Sequence, residues 1–291
     1  MNKKTLILLS SIVLSVVLAT LISLAGGDGG ARVGSVSVFA LCAIVAFVIN
    51  WLAFIPANLA KTERYYDLTG SATYLSVIVL AVTMSDNLDS RALIVAAMVA
   101  IWAIRLGSFL FSRIARDGKD DRFDTIKTDP LRFFLTWTIQ ALWVVLTAAC
   151  ALAIITGGSR EPIGAAGVLG ICVWVFGFTV EVIADQQKSN FKKNPENKGK
   201  FINTGLWRWS RHPNYFGEMV LWTGIAIIAL PVLTGWQWAT LISPVFVYVL
   251  INYVSGVNKL EKKAEEKWGN DADYQTYRKN TPILVLWPPE E

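Results

Sequence analysis

Histidine occurs once in 291 residues, at His212, and cysteine three times, at Cys42, Cys150 and Cys172. All three cysteines lie in apolar runs and form no C-x-x-C pair. They read as small packing residues, and neither a disulfide framework nor a metal site follows. Charge is scarce too: 17% of residues are Asp, Glu, Lys or Arg, against 54% hydrophobic. A soluble globular domain does not have this balance. The glycine-rich stretch "AGGDGGARVG" (25–34) lacks the preceding strand and following helix of a dinucleotide fingerprint, so it reads as an outer loop. Neither an internal repeat nor a domain linker is visible.

What the chain has instead is apolar length. Eight runs stand out: 5–25, 35–55, 71–84, 91–112, 132–156, 163–184, 214–233 and 238–257. A helix of about 20 such residues crosses a hydrocarbon core of roughly 30 Å. The expected fold is therefore an all-α polytopic membrane protein with seven or eight transmembrane helices, the third run being the shortest. The first run follows Met1-Asn2-Lys3-Lys4, which raises a cleaved signal peptide. Its apolar stretch exceeds the usual signal-peptide core of about 7–15 residues, so a retained helix is expected. The small residues of "GAAGVLG" (164–170) suit close helix packing. The domain reading is a first helix with its outer loop (1–30) and a single domain (31–291), its cofactor-binding half at about 160–291.

Charge sorting sets the orientation. With a cytoplasmic N-terminus, the inner segments carry 23 of the 27 Lys and Arg residues, and the outer ones only Arg32, Arg91 and Arg160. That asymmetry places both termini in the cytoplasm. The net charge of +5 then reflects the membrane and not a nucleic-acid partner; membrane lipids and a hydrophobic small molecule are the expected partners.

Ionisable groups at membrane depth are costly and mark function. Arg105 sits in the fourth run, Glu181 and Asp185 close the sixth at i and i+4, and Asn214 and Glu218 open the seventh at the same spacing. Gln140, Asn252, Ser255 and Asn258 add polar groups in inner halves. The alternative is a set of structural ion pairs, such as Arg105 with Glu181. Between Asp185 and Asn214 lies a basic loop with Lys188, Lys192, Lys193, Lys198, Lys200, Arg208 and Arg211. Attraction to anionic lipid explains a basic loop, but not the acids and amides at its ends. Pro213 disfavours helix at His212 and suits a first helical turn. The next helix then starts beside Arg211 with free N–H groups, a favourable place for phosphate. Trp207, Trp209 and Tyr215 could stack on a planar ring or belong to an interfacial belt.

"GLWRWSRHPNYFGE" (205–218) and "EVIADQQKSNFK" (181–192) resemble the steroid 5α-reductase and sterol-reductase superfamily, most closely its bacterial DUF1295 branch. "IWAIRLGSFLFSRIARDGKDDRF" (101–123) and the tail from Leu260 resemble the same branch, so the likeness covers about residues 50 to 290. The R-H-P-x-Y-x-G part is shared with isoprenylcysteine carboxyl methyltransferases. The resemblance implies a bacterial inner-membrane enzyme that binds NADPH in a cavity open to the cytoplasm. It implies that the enzyme reduces an activated C=C bond of a hydrophobic, steroid-like or other lipid substrate. Glu181 and Asp185 then hold the adenosine or ribose end, while Lys192 and Lys200 approach phosphates with Arg208 in the same loop. Arg105 reaches the cofactor, Asn214 and Glu218 lie beside the nicotinamide, and Arg211, His212 and Tyr215 complete the motif. The catalytic candidates are Asp67, Glu63 and Tyr66 in "TERYYDLTG" (62–70), because Trp102 occupies the place of the expected tyrosine.

Two other classes remain open. An S-adenosylmethionine-dependent methyltransferase of the isoprenylcysteine type shares the R-H-P-x-Y block and the acidic pair Glu261 and Glu265. A non-enzymatic lipid-binding protein on an inherited fold fits the loss of the phenol at Trp102.

Overall fold

The computed structural model describes residues 2–86, 88–118 and 120–288. They form an all-α polytopic membrane protein whose one sheet among the described residues is a hairpin, Arg32–Val33 with Val36–Ser37. Seven helical stretches in this part are long and apolar enough to cross a membrane. The chain divides into two compact units, Met1–Gly164 with Ala229–Ser243, and Ala165–Ile228 with Pro244–Glu291.

The first unit holds α1 (Lys3–Gly26), α2 (Val38–Leu59), α3 (Tyr66–Thr83), α4 (Ser90–Asp117), α5 (Pro130–Thr147) and α6 (Ala149–Thr156). The helix starts follow local chemistry. Asn2, Ser37, Asp89 and Asp129 accept hydrogen bonds from the first-turn amides of α1, α2, α4 and α5, supplying partners that helical N–H groups otherwise lack. Each such cap contributes about 1 kcal/mol. Lys4 pairs with Asp129 at 2.7 Å, tying α1 to the start of α5. The sequence set the first helix apart from residues 31–291; in the structure α1 packs on α2, α5 and the segment 235–241 within the first unit.

Two apolar runs differ from their helices for visible reasons. The third run begins at 71, yet α3 begins at Tyr66, because its first turn is polar and a hydrophobic window does not see it. The run 132–156 bends at Ala148, where α5 gives way to α6 without any proline or glycine to announce it.

The second unit holds α7 (Ala165–Lys193), α8 (Pro213–Ala229), α9 (Ile242–Val249), α10 (Val257–Trp268) and α11 (Ala272–Asn280), with Ala229, Ile242 and Ser243 counted to the first unit. Pro213 opens α8, as its missing N–H predicts. α8 has 17 residues, about 25 Å of helix, and alone falls short of a full crossing. That shortness reduces the eight expected spans to seven. α9 runs into a π-helical turn at Leu250–Ser255.

Candidate functional site

The site in the second unit begins with four glycines. Gly170 and Gly177 on α7, and Gly217 and Gly224 on α8, recur every seven residues, two turns, and so share one face of each helix. A Cβ at Gly177 would lie 2.5 Å from the Leu221 nitrogen; one at Gly224 would lie 2.7 Å from the Gly170 oxygen. The two backbones therefore touch, which only glycine permits. Of the small residues noted in 164–170, Gly170 makes this contact, while Gly164 faces open space.

The antiparallel register fixes what comes next along the seam. Gly217 meets the backbone of Glu181, where a Cβ would stand 2.6 Å from the amide nitrogen. One turn further, Asn214 Nδ2 donates to Asp185 Oδ1 at 3.1 Å. Glu181 and Asp185 are buried, at 3% and 6% exposure. Glu218 follows one turn after Asn214 and is half-buried. The sequence placed these groups as two separate i, i+4 pairs; the glycine seam sets the pairs against each other.

The loop from α7 to α8 is held by its own side chains. Trp207 Nε1 donates to the Ala184 carbonyl at 3.0 Å, and Gln187 Oε1 accepts from the Leu206 amide at 3.0 Å. Gly205 turns the chain at φ +60°, where a Cβ would collide with Gln187. Lys188 Nζ lies 4.4 Å from the Trp207 ring centre. Tyr277 on α11 donates its hydroxyl to the Trp207 carbonyl at 2.6 Å.

At the end of this loop Glu261, on α10, binds two neighbours at once. One carboxylate oxygen pairs with Arg211 Nη1 and the other lies 2.8 Å from His212 Nε2. The His212 ring stacks on Tyr215, 20° from parallel. Burial holds this imidazole below its ordinary range; Lys188 and Arg211 act the same way, while the Glu261 carboxylate opposes them. A neutral ring that gives Nε2–H to a carboxylate keeps Nδ1 as an acceptor. Among the described residues neither His212 Nδ1 nor Arg211 Nε has a hydrogen-bond partner, although both are buried. Other buried polar atoms of the described residues also lack a partner, among them Trp137 Nε1 and Gln140 Oε1; these two differ in belonging to neighbouring residues that share one carboxylate, which suits a polar ligand.

The basic groups lie further out. Lys192, Lys200 and Arg208 are exposed, and none has an ionic or hydrogen-bonded side-chain partner among the described residues. Lys200 and Arg208 line a cavity of about 790 Å³ together with Phe201, Asn203, Asn280 and Tyr277. Phe201 and Tyr277 stack there at 5.4 Å. Asp271 and Asp273 on its wall moderate the positive field. Lys192, in the last turn of α7, is not part of the lining and complements the helix dipole.

The remaining candidates belong to the first unit. Buried Glu63 accepts from the Asp120 amide at 3.1 Å and from Lys127 Nζ at 2.7 Å. Arg113 reaches Asp67 at 3.4 Å. Tyr66 gives its hydroxyl proton to the Thr136 carbonyl at 3.1 Å, and its ring packs on Phe123 and Trp137. Gln140 Nε2 donates to the Tyr66 carbonyl at 2.8 Å. The Arg105 guanidinium lies 5.3 Å from the Phe109 ring centre. Beneath the loop after α4, Asp120 sits between two tendencies: burial raises its carboxyl, but the Arg122 guanidinium, bonded to both oxygens, outweighs burial and holds it low.

Sequence reasoning missed two groups. Glu261 was visible only as one of three acids in a lysine-rich helix; its link to Arg211 and His212 spans about fifty residues and has no local signal. Tyr74, on α3, packs its ring edge-on against Trp102 at 5.1 Å, so a phenol stands beside the tryptophan. Its place one helical turn pair after Tyr66 was the available clue.

The sequence model of a family described as a protein of unknown function, DUF1295, matches residues 53–281, and the chain belongs to that family. An uncharacterized protein of Schizosaccharomyces pombe is 25% identical over 244 residues, 72% of this chain and 68% of the relative. A probable O-methyltransferase of Ustilaginoidea virens is 36% identical over 58 residues, a fifth of each chain at 20%. The 3-oxo-5-alpha-steroid 4-dehydrogenase 1 of Bos taurus is 28% identical over 119 residues, 40% of this chain and 41% of the relative. The chain thus spans well under half of the last two proteins. No solved structure matches.

Proposed function

We propose that this DUF1295 protein is an NADPH-dependent membrane oxidoreductase that reduces an activated C=C bond of a hydrophobic, steroid-like or other lipid substrate. The observation that carries it is the α7–α8 seam. It holds Glu181, Asp185 and Asn214 together beside Arg211 and His212, which keep two buried, unpartnered polar atoms. Partial likeness to the bovine 4-dehydrogenase supports the reaction class.

The residues present fit such a cofactor. Carboxylates suit ribose hydroxyls, the cations Lys192, Lys200 and Arg208 suit phosphates, and an amide with an orphan acceptor suits a carboxamide. In this reading Glu181 and Asp185 hold the adenosine or ribose end, and Asn214, Glu218, Tyr215 and His212 face the ring, with Arg211 as a further cofactor contact; the role of Arg105 rests on the sequence resemblance alone. When bound, NADPH supplies a hydride. The chain must polarise the substrate carbonyl and deliver a proton. Glu63 is committed to Lys127 and the Asp120 amide, and Asp67 and Tyr66 are likewise engaged by Arg113 and the Thr136 carbonyl, so their assignment to that work rests on the sequence resemblance alone.

The charge asymmetry supports cytoplasmic termini and a cofactor mouth on the cytoplasmic side. The sequence resemblance supports a bacterial inner membrane, although the relatives above come from fungi and cattle.

A second reading, an S-adenosylmethionine-dependent methyltransferase, is favoured by the shared R-H-P-x-Y block and by the fungal O-methyltransferase match. The discriminating experiment is turnover with a lipid extract or a 3-oxo-4-ene steroid. NADPH consumption that yields a product heavier by two hydrogens supports the reductase. Methyl transfer from S-adenosylmethionine without NADPH consumption refutes it.

A further inference from the structure

The segment after α11 is a strap tied to the loop that precedes α8. Arg211 N donates to the Pro282 carbonyl at 2.9 Å, Ser210 Oγ to the Leu284 carbonyl at 2.8 Å, and Trp287 N to the Trp209 carbonyl at 3.1 Å. Although the chain bends at 283–285, exposure alternates residue by residue along the segment. Both sets of alternate residues are apolar: Ile283, Val285 and Trp287 are 44%, 56% and 63% exposed, while Pro282, Leu284 and Leu286 between them are half-buried. Trp209, 44% exposed, lies on the loop it pairs with. Contiguous exposed apolar residues of this kind signal a partner.

The height of the strap identifies that partner. Its anchoring loop is fixed to Ala184 through the Trp207 indole. Ala184 is the last residue of the apolar length of α7, and the polar end begins at Asp185. The strap therefore lies level with the boundary between hydrocarbon and water, where tryptophan is enriched. Beside it is a cavity of about 480 Å³ lined by Arg211, Arg278, Lys279, Pro282 and Trp287. Arg211 and Arg278 are paired with Glu261 and Glu265, but Lys279 has no partner among the described residues.

We infer that residues 281–288 form a membrane-interface strap that seats Ile283, Val285 and Trp287 in the adjacent lipid leaflet. The basic cavity beside it takes the phosphate of an anionic phospholipid. Hydrophobic contact and headgroup charge come from one molecule, which explains why the apolar edge and the cations adjoin. Arg211 lines this cavity and is also a proposed cofactor contact, so the inference is carried by the strap and Lys279, whichever cofactor the site takes.

The test uses full-length protein carrying Cys172→Ala and Val285→Cys; Cys42 and Cys150 are buried and do not compete for label. An environment-sensitive fluorophore at 285 is read in vesicles of phosphatidylcholine, alone or mixed with phosphatidylglycerol, with a headgroup-level quencher. Asn270→Cys, on exposed polar surface, is the reference. Several-fold stronger quenching at 285 than at 270 is expected. Native mass spectrometry should retain phosphatidylglycerol over phosphatidylcholine, a preference that Lys279→Ala loses several-fold. A label at 285 that matches the one at 270 overturns the proposal. So does equal retention of the two lipids, or a preference unchanged by Lys279→Ala. Self-quenching that persists on dilution with lipid would assign the face to a second copy and overturns it as well.

Discussion

One charged cluster in each unit is completed differently. In the first, Glu63 meets Lys127, Asp67 meets Arg113, Asp120 meets Arg122, and Lys4 meets Asp129. In the second, Arg278 meets Glu265, but Lys192, Lys200 and Arg208 have no ionic or hydrogen-bonded side-chain partner among the described residues, and the Arg211–Glu261–His212 group keeps one donor and one acceptor unmade. A set of ions that neutralise one another shapes a fold; a set left short of partners awaits a ligand. Buried charge alone does not separate the two cases, whereas the state of its hydrogen bonds does.

The strongest challenge to this contrast is to remove the seam that assembles the second set. Gly217→Val forces a branched side chain into the backbone of Glu181 and should cost at least about 3 kcal/mol. In a chain of this size that is a fall of roughly 6–12 °C in unfolding temperature. Gly164→Ala, in open space, should change nothing. Equal effects from both would remove the seam from the account.

Next in size is Glu63→Gln, which leaves Lys127 without its buried carboxylate and should lower stability by about 3 kcal/mol. Its affinity for NADPH should stay within twofold of wild type. A loss of affinity without loss of stability would move Glu63 from framework to site.

Asp185→Ala removes a charge-assisted partner and should weaken NADPH binding by about 2 kcal/mol, some thirtyfold, measured by fluorescence titration. The unfolding temperature should fall far less than with Gly217→Val. Unchanged affinity would show that the Asp185–Asn214 bond is structural, like the pairs of the first unit.

The smallest effect is a pH dependence. The unfolded histidine takes up its proton near pH 6.5, while the folded His212 resists protonation because it is buried. Below about pH 6.5 the unfolded state then binds more protons, and stability declines until the lower folded value is reached. His212→Gln should flatten that decline in thermal unfolding across pH 5–7; a slope equal to wild type would place the titration elsewhere.

Much of this was legible before the structure. Hydrophobic runs located the helices, since a helix needs apolar length to cross a membrane whatever its neighbours are. The same logic overcounted at α8, because the run 214–233 outlasts its helix by four residues beyond Ala229. Glu181, Asp185, Asn214 and Glu218 were visible because polar groups inside apolar runs stand out. Their juxtaposition rests on Gly170, Gly177, Gly217 and Gly224, of which only the first was read as a packing residue. Glu261 was illegible as a site group, since nothing local distinguishes it from Glu265. The strap's exposed apolar edge appears only once its backbone partners at 209–211 are known.

The central claim is that the unpartnered groups of the second unit form a cofactor site. The most direct test is competitive protection of the purified protein against thermal unfolding by NADPH, NADH and S-adenosylmethionine, repeated with Asn214→Ala. The account predicts stabilisation by NADPH above both others and its loss in Asn214→Ala. Stabilisation by S-adenosylmethionine alone, or by none of the three, would contradict it.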